Sequence, residues 1–239
     1  MNRVALTLAL LAIAASAAPA SAAESRRRGS IELRVNRYRP DVDSEFNGAA
    51  KPYEDAFGSG KRGMFRLEVT RSLLKTYGTF DVGVGVGYFE DQGWGRLPAD
   101  NSVTADRTTF RIIPTSISAT YRLDVLPNGF AMPIMPYVRA SLERYNWWTS
   151  GGAGGTSENG GFKGRGATHG YSFSAGVALL LDLFDRSLAR DMDNNTGINH
   201  TYLFFDVTKS RIDDFGSSKS LDLSNTGTFA LGGGLMFIY

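Results

Sequence analysis

The last twelve residues, 228–239, constrain this chain more than any other stretch. Phe229, Leu231, Leu235, Phe237 and Tyr239 share one parity, and Ala230, Gly232, Gly234, Met236 and Ile238 share the other. A period of two is that of an extended strand, here with large apolar and aromatic groups on one face. The opposite face is mostly small, with Met236 and Ile238 interrupting it. Left uncovered, such a strand pairs with other chains and aggregates. Two environments accommodate it: the buried closing position of a sheet, or lipid, where barrel strands run about 9–11 residues with aromatics at the interfaces.

The other end of the chain reads as an export signal. Arg3 supplies a positive start, residues 4–15 are apolar, and Ala20-Ser21-Ala22 is a small-x-small cleavage site. The apolar run is shorter than the roughly 20 residues a membrane helix needs. We therefore expect residues 1–22 to be a signal peptide and 23–239 to form one exported domain. The absence of cysteine excludes a disulfide framework, thiolate chemistry and a lipidated N-terminal Cys, and it suits a Gram-negative envelope. Net charge is +2 with both signs interspersed, so no nucleic-acid partner is expected. The run Arg26-Arg27-Arg28 reads as a solvated end. After the signal, the longest apolar run, 178–184, is broken by Asp182 and is too short to span as a helix. If the chain crosses a membrane, it does so as a closed sheet.

Alternation recurs in eight segments: 30–38, 63–71, 77–89, 108–123, 136–148, 170–181, 199–208 and the terminus. The cleanest sets Phe80, Val82, Val84, Val86 and Tyr88 against Asp81, Gly83, Gly85 and Gly87. In the fourth, Ile112 and Pro114 blur the start and suggest a bulge or rim. An even count returns both ends to one side, and eight strands make the smallest such barrel. The pattern predicts an all-β fold, an eight-stranded antiparallel up-and-down transmembrane barrel. Long polar connections at 39–62, 90–107, 149–169 and 209–227 fall at one end. Shorter ones at 72–76 and 124–135 fall at the other, with 182–198 as the exception. There Leu183, Phe184, Leu188 and Met192 recur at helical spacing, which predicts a short periplasmic helix near 183–192.

With these segments in place, the terminus resembles that of bacterial outer-membrane β-barrels. The match lies in Gly234, Phe237 and Tyr239, the glycine, apolar and terminal-aromatic positions of the signal read by the outer-membrane assembly machinery. Gly232 stands where that family often has a polar residue. The whole is similar to the small OmpA-like barrels, in particular to uncharacterised outer-membrane barrel proteins of myxobacteria. The resemblance implies an outer-membrane location, with membrane lipids, lipopolysaccharide and the assembly machinery as partners. Tyr145, Trp147 and Trp148 are expected in an outer aromatic girdle, and Tyr121, Tyr137 and Tyr239 in a periplasmic one.

Glu32, Arg34, Arg66, Glu68, Asp81, Arg122, Arg139, Glu143 and Asp206 all fall on the inward parity. Mixed signs in a narrow lumen predict an ion-pair network that plugs it, because a selective pore favours a ring of one sign. With two histidines and no cysteine, no metal or other cofactor is expected. His169 and Ser172 lie three apart, whereas the outer-membrane lipid A deacylases place a His and a Ser two apart on one face. The glycines at 83, 85 and 87 lack the spacing of a nucleotide loop. Those between 151 and 166 read as a surface loop. The expected function is non-enzymatic: a plugged barrel presenting four loops in a structural, adhesive or recognition role. The alternatives are a narrow solute conduit of the OmpW type, a lipid-modifying enzyme, and a soluble lipocalin-like barrel.

Overall fold

All eight alternating segments form strands, because in each the side chains separate onto a polar and an apolar face. A computed structural model describes residues 27–96, 103–130, 132–151, 158–159, 162–217 and 220–239, so the expected signal peptide lies outside the described residues. The strands are β1 (Gly29–Tyr38), β2 (Arg62–Lys75), β3 (Thr79–Arg96), β4 (Val103–Arg122) and β5 (Ile134–Ser150). A two-residue ribbon, β6 (Glu158–Asn159) and β7 (Phe162–Lys163), precedes β8 (Arg165–Leu180), β9 (His200–Arg211) and β10 (Ala230–Ile238). Each long strand pairs antiparallel with the next, and β10 closes on β1 from Ser30↔Ile238 to Asn36↔Gly232. Closure removes the free edge that the terminal strand would otherwise expose.

β1 begins and β10 ends at one end of the barrel, here called the base; the opposite end is the top. Strands β3, β4 and β5 extend further toward the top than alternation alone indicates. Most of the expected loop 90–107 is strand, leaving only 97–102 between β3 and β4. The extension is held partly by helix α1 (Pro52–Phe57), which packs so closely on β3 that a Cβ at Gly93 would lie 1.9 Å from the Ala56 carbonyl oxygen. The expected bulge at Pro114 is also absent. Register between β3 and β4 is the same on either side of it, at Val86↔Thr115 and Phe89↔Ile112. The Pro114 ring points inward over Gly87, where a Cβ would sit 2.8 Å from its Cγ.

At the base, residues 76–78 make the β2–β3 turn, and α2 (Val125–Gly129) lies in the second connection. The third carries α3 (Arg186–Thr196), later than the apolar spacing at 183–192 suggests. Its start is set by Asp185, whose carboxylate accepts from the backbone N–H groups of Ser187 and Leu188, and its end by Gly197 at φ 71°. Leu183 and Phe184 therefore precede the helix and are exposed.

The barrel is inverted relative to a water-soluble one. Leu33, Phe65, Val84, Ile117, Leu142, Phe173, Phe205 and Leu231 point outward and are exposed, most of them by half or more. The inward parity buries polar and charged groups between two apolar layers. The floor, near the base, comprises Met135, Tyr137, Ala178, Tyr202, Phe204, Met236 and Ile238. The roof comprises Tyr38, Met64, Phe89, Phe110, Ile112, Tyr145, Ile212 and Leu223, with Val42 and Tyr53 from the first top connection.

Candidate functional site

Seven of the nine inward charges meet in the middle of the lumen. On β5, Arg139 holds both Glu32 oxygens of β1 at 2.7 Å and reaches Glu68 of β2 at 3.2 Å. Arg34 lies 3.1 Å from Asp206 and 3.3 Å from Glu32. Arg66 makes a two-pronged contact with Glu143, at 2.6 and 3.2 Å, and donates to the Tyr145 hydroxyl at 2.6 Å. Nearer the base, Arg122 pairs with Asp81 at 2.7 Å. Neutral groups complete the layer: Tyr137 donates to Asp206 at 2.9 Å, Ser172 to Glu143 at 2.5 Å and Ser118 to Glu68 at 2.5 Å. Strand parity puts each of these side chains inside, and the cross-strand pairs set them at matching heights.

Between this layer and the roof is a polar cavity of about 30 Å³, lined by Asn36, Arg66, Glu68, Ser141, Ser174 and their neighbours. That is room for one or two water molecules, not for a solute. Above it, the top connections are stapled together. Asp41 N–H donates to the Ser224 carbonyl, Thr226 N–H to that of Arg39, and the Tyr38 hydroxyl to that of Leu223 at 2.6 Å. Tyr53 donates to Asp91 at 2.9 Å, and burial, reinforced by that carboxylate, pushes its phenol well above the ordinary value.

Three aromatics expected in the girdles lie elsewhere. Tyr137 belongs to the floor, Tyr145 to the roof, and Trp147 packs against the roof with its ring 6.2 Å from Phe110. All three are on the inward parity of β5, and the two tyrosine hydroxyls find charged partners there that lipid would not supply. Trp148 and Tyr121 keep the outward parity. Parity along β5 carried the signal that composition near the loop obscured.

The remaining candidates are placed as follows. His169 faces outward, with Nδ1 3.0 Å from Asp214, whereas Ser172 faces inward to Glu143, so the two share no site. Among the described residues no cluster of three or more His, Asp or Glu side chains is set to hold a metal. Phe237 pairs with Ile31 and Thr201, and the Tyr239 hydroxyl donates to the Thr70 carbonyl at 3.1 Å. A Cβ at Gly234 would lie 1.9 Å from the Leu33 carbonyl oxygen, and one at Gly232 would lie 2.4 Å from Asn36 Nδ2 and 2.7 Å from Asp206 Oδ1. A side chain at Gly232 would therefore have to displace Asn36 or Asp206. Much of the glycine-rich stretch 151–166 lies outside the described residues, and its end, Arg165 and Gly166, already belongs to β8.

Fold and lumen together define a closed eight-stranded antiparallel barrel with an apolar exterior and a charged, packed interior. The chain matches no known family and no curated protein sequence, so the likeness to myxobacterial barrels rests on the sequence reading. Among solved structures it is similar to the N-terminal β-barrel domain of Pseudomonas aeruginosa OprF, at 13% identity and a TM-score of 0.38 over 90% of this chain and 100% of that one. It is also similar to Ail, the attachment invasion locus protein of Yersinia pestis, solved in complex with the heparin analogue sucrose octasulfate. There the identity is 12% and the TM-score 0.36 over 88% and 99% of the two chains. The architecture described above rests on the strand pairing rather than on these likenesses.

Proposed function

We propose that this chain is an outer-membrane barrel of a Gram-negative envelope, non-enzymatic and plugged, that presents its top connections at the cell surface in a structural, adhesive or recognition role. The observation that carries this reading is the exposed belt of Leu, Val, Ile and Phe on all eight strands around a charged interior. In water that belt is a continuous aggregation surface; in lipid it is the required exterior. A soluble lipocalin-like barrel has the opposite polarity. The plug is supported by the ion-paired layer between two apolar ones and by a cavity with room for no more than one or two water molecules. A non-enzymatic role is supported by the separation of His169 from Ser172. Export by a cleaved signal and delivery by the assembly machinery, with Gly234, Phe237 and Tyr239 as its recognition residues, complete the proposal.

Mobility on an SDS gel before and after boiling, from an outer-membrane fraction, is the test. The expected result is a faster unboiled band that shifts on boiling, with no protein in the periplasmic fraction. Soluble periplasmic protein without a shift overturns the membrane reading. For the non-enzymatic part, conversion of lipid A by the wild type that is lost in Ser172→Ala or His169→Ala would overturn it.

A further inference from the structure

At the base, the inward face of the barrel ends in a recess whose lining includes Arg27, Ser72, Lys75, Arg122, Asp124 and His200. A β-bulge puts Lys75 there. Strict alternation along β2 would turn residue 75 outward, with Leu67 and Val69. Register with β3 instead slips between Ser72 and Leu74, so Leu74 stands opposite the outward Phe80 and Lys75 opposite the inward, buried Thr79. Such a bulge gives up ladder pairing and re-aims a side chain.

The recess holds donors that the fold leaves unused. Lys75 donates to the Arg27 backbone carbonyl, and among the described residues its ammonium has no carboxylate partner. An ammonium carries three N–H groups, so two of them face the recess without a protein acceptor. Arg122 is 3% exposed; its Nη2 holds Asp81 at 2.7 Å, while its Nε is buried with no hydrogen-bond partner. The acids alongside are already engaged. Asp81 is held by Arg122, and Asp124 accepts from the Thr79 hydroxyl at 2.5 Å. Asp182 accepts from the Thr201 N–H at 3.0 Å and meets His200 Nδ1 at 2.7 Å. The room among these groups, about 10 Å³, admits one oxygen-sized group.

We propose that this recess takes the leading oxygen of a carboxylate presented from the base, held between Lys75 Nζ and Arg122 Nε, with the rest of the ligand outside the mouth. The inference needs only the closed barrel, and it adds a ligand at the end opposite the surface connections. Charge, room and surroundings select a carboxylate. A water molecule would satisfy the donors but leave the Lys75 charge unpaired, so the site calls for an anion. The room suits one oxygen of a planar group, whereas tetrahedral phosphate or sulfate is too wide to follow it in. Asp81 lies directly behind Arg122 and repels a dianion twice as strongly as a monoanion.

The test titrates the folded full chain in detergent, by calorimetry at constant ionic strength, with N-acetylglycine, N-acetylglycinamide or inorganic phosphate. The wild type is expected to bind N-acetylglycine and neither of the others. Lys75→Gln should weaken that binding about tenfold or more, the worth of a hydrogen bond to a charged group. Arg71→Gln removes an exposed, outward cation of the same strand and should bind as the wild type does. The boiling shift shows that each variant has folded, and acid against amide on the wild type decides even where a variant has not. Amide or phosphate bound as tightly as the acid, no binding of the acid, or unchanged binding by folded Lys75→Gln overturns the proposal. An equal loss in Arg71→Gln also overturns it, because the affinity would then belong to the surface charge of the base and not to the recess.

Discussion

Each guanidinium in the lumen has one nearest carboxylate: Arg34 has Asp206, Arg66 has Glu143, Arg122 has Asp81 and Arg139 has Glu32. That pairing leaves Glu68, whose contact with Arg139 is longer and whose closest partner is the Ser118 hydroxyl. The two glutamates should therefore respond differently to neutralisation. Glu143→Gln leaves Arg66 buried without its partner and is expected to cost about 3–5 kcal/mol. Glu68→Gln removes the surplus negative charge and keeps a hydrogen-bonding group, so its cost should stay under about 1 kcal/mol. Urea titration of the boiling shift in fixed detergent measures both, and equal losses would refute the one-to-one pairing. The position of all nine charges was legible in the sequence because strand parity alone assigns the inward face. Their pairing was not, since it depends on register between strands far apart in the chain. Tyr137 and Tyr145 were misjudged because aromatics near strand ends suit an interface as well as a lumen, and only the hydroxyl partners Asp206 and Arg66 decide between them.

Among the elements, β10 constrained the fold most from the sequence, and the structure adds a steric reason for its glycines. Gly234 sits where β10 crosses the Leu33 carbonyl of β1, so Gly234→Ala should force the closing strands apart. The expected outcome is a barrel that refolds slowly or incompletely in detergent alone, with no assembly machinery present. If Gly234→Ala refolds normally in vitro but is lost from cells, the glycine acts through recognition and the steric account fails. α3 shows the limit of periodicity. Apolar spacing pointed to 183–192, but capping chemistry begins the helix after Asp185, and a cap is a local hydrogen bond that periodicity does not encode. Asp185→Ala is expected to destabilise that helix by about 1 kcal/mol. It should speed amide exchange over 186–196 while leaving the boiling shift intact, because the barrel ladder does not depend on α3. The β3–β4 extension was missed for a different reason. Residues 90–96 are mostly polar or glycine and look like loop, and only the continued pairing with β4, from Glu90↔Arg111 to Trp94↔Arg107, marks them as strand.

At the scale of the whole molecule, the lumen is closed three times in series, by the apolar floor, the ion-paired layer and the apolar roof. Barriers in series do not open when one is removed, since an ion must still shed its water at the other two. The wild type in a planar bilayer is therefore expected to give no discrete conductance. Truncating one layer, as in Tyr202→Ala in the floor, Arg139→Ala in the middle or Tyr145→Ala in the roof, should leave it silent. The triple variant should conduct. Among the described lumen residues, five carboxylates would then face three guanidinium groups, so the current should favour cations. A boiling shift in each variant shows that the barrel has formed before its current is read. Openings in the wild type would refute the plug and favour a conduit. Openings in a single-layer variant would refute the series arrangement and assign the closure to that layer alone. Anion preference in the triple variant would mean that the lumen carboxylates do not set the field along the axis.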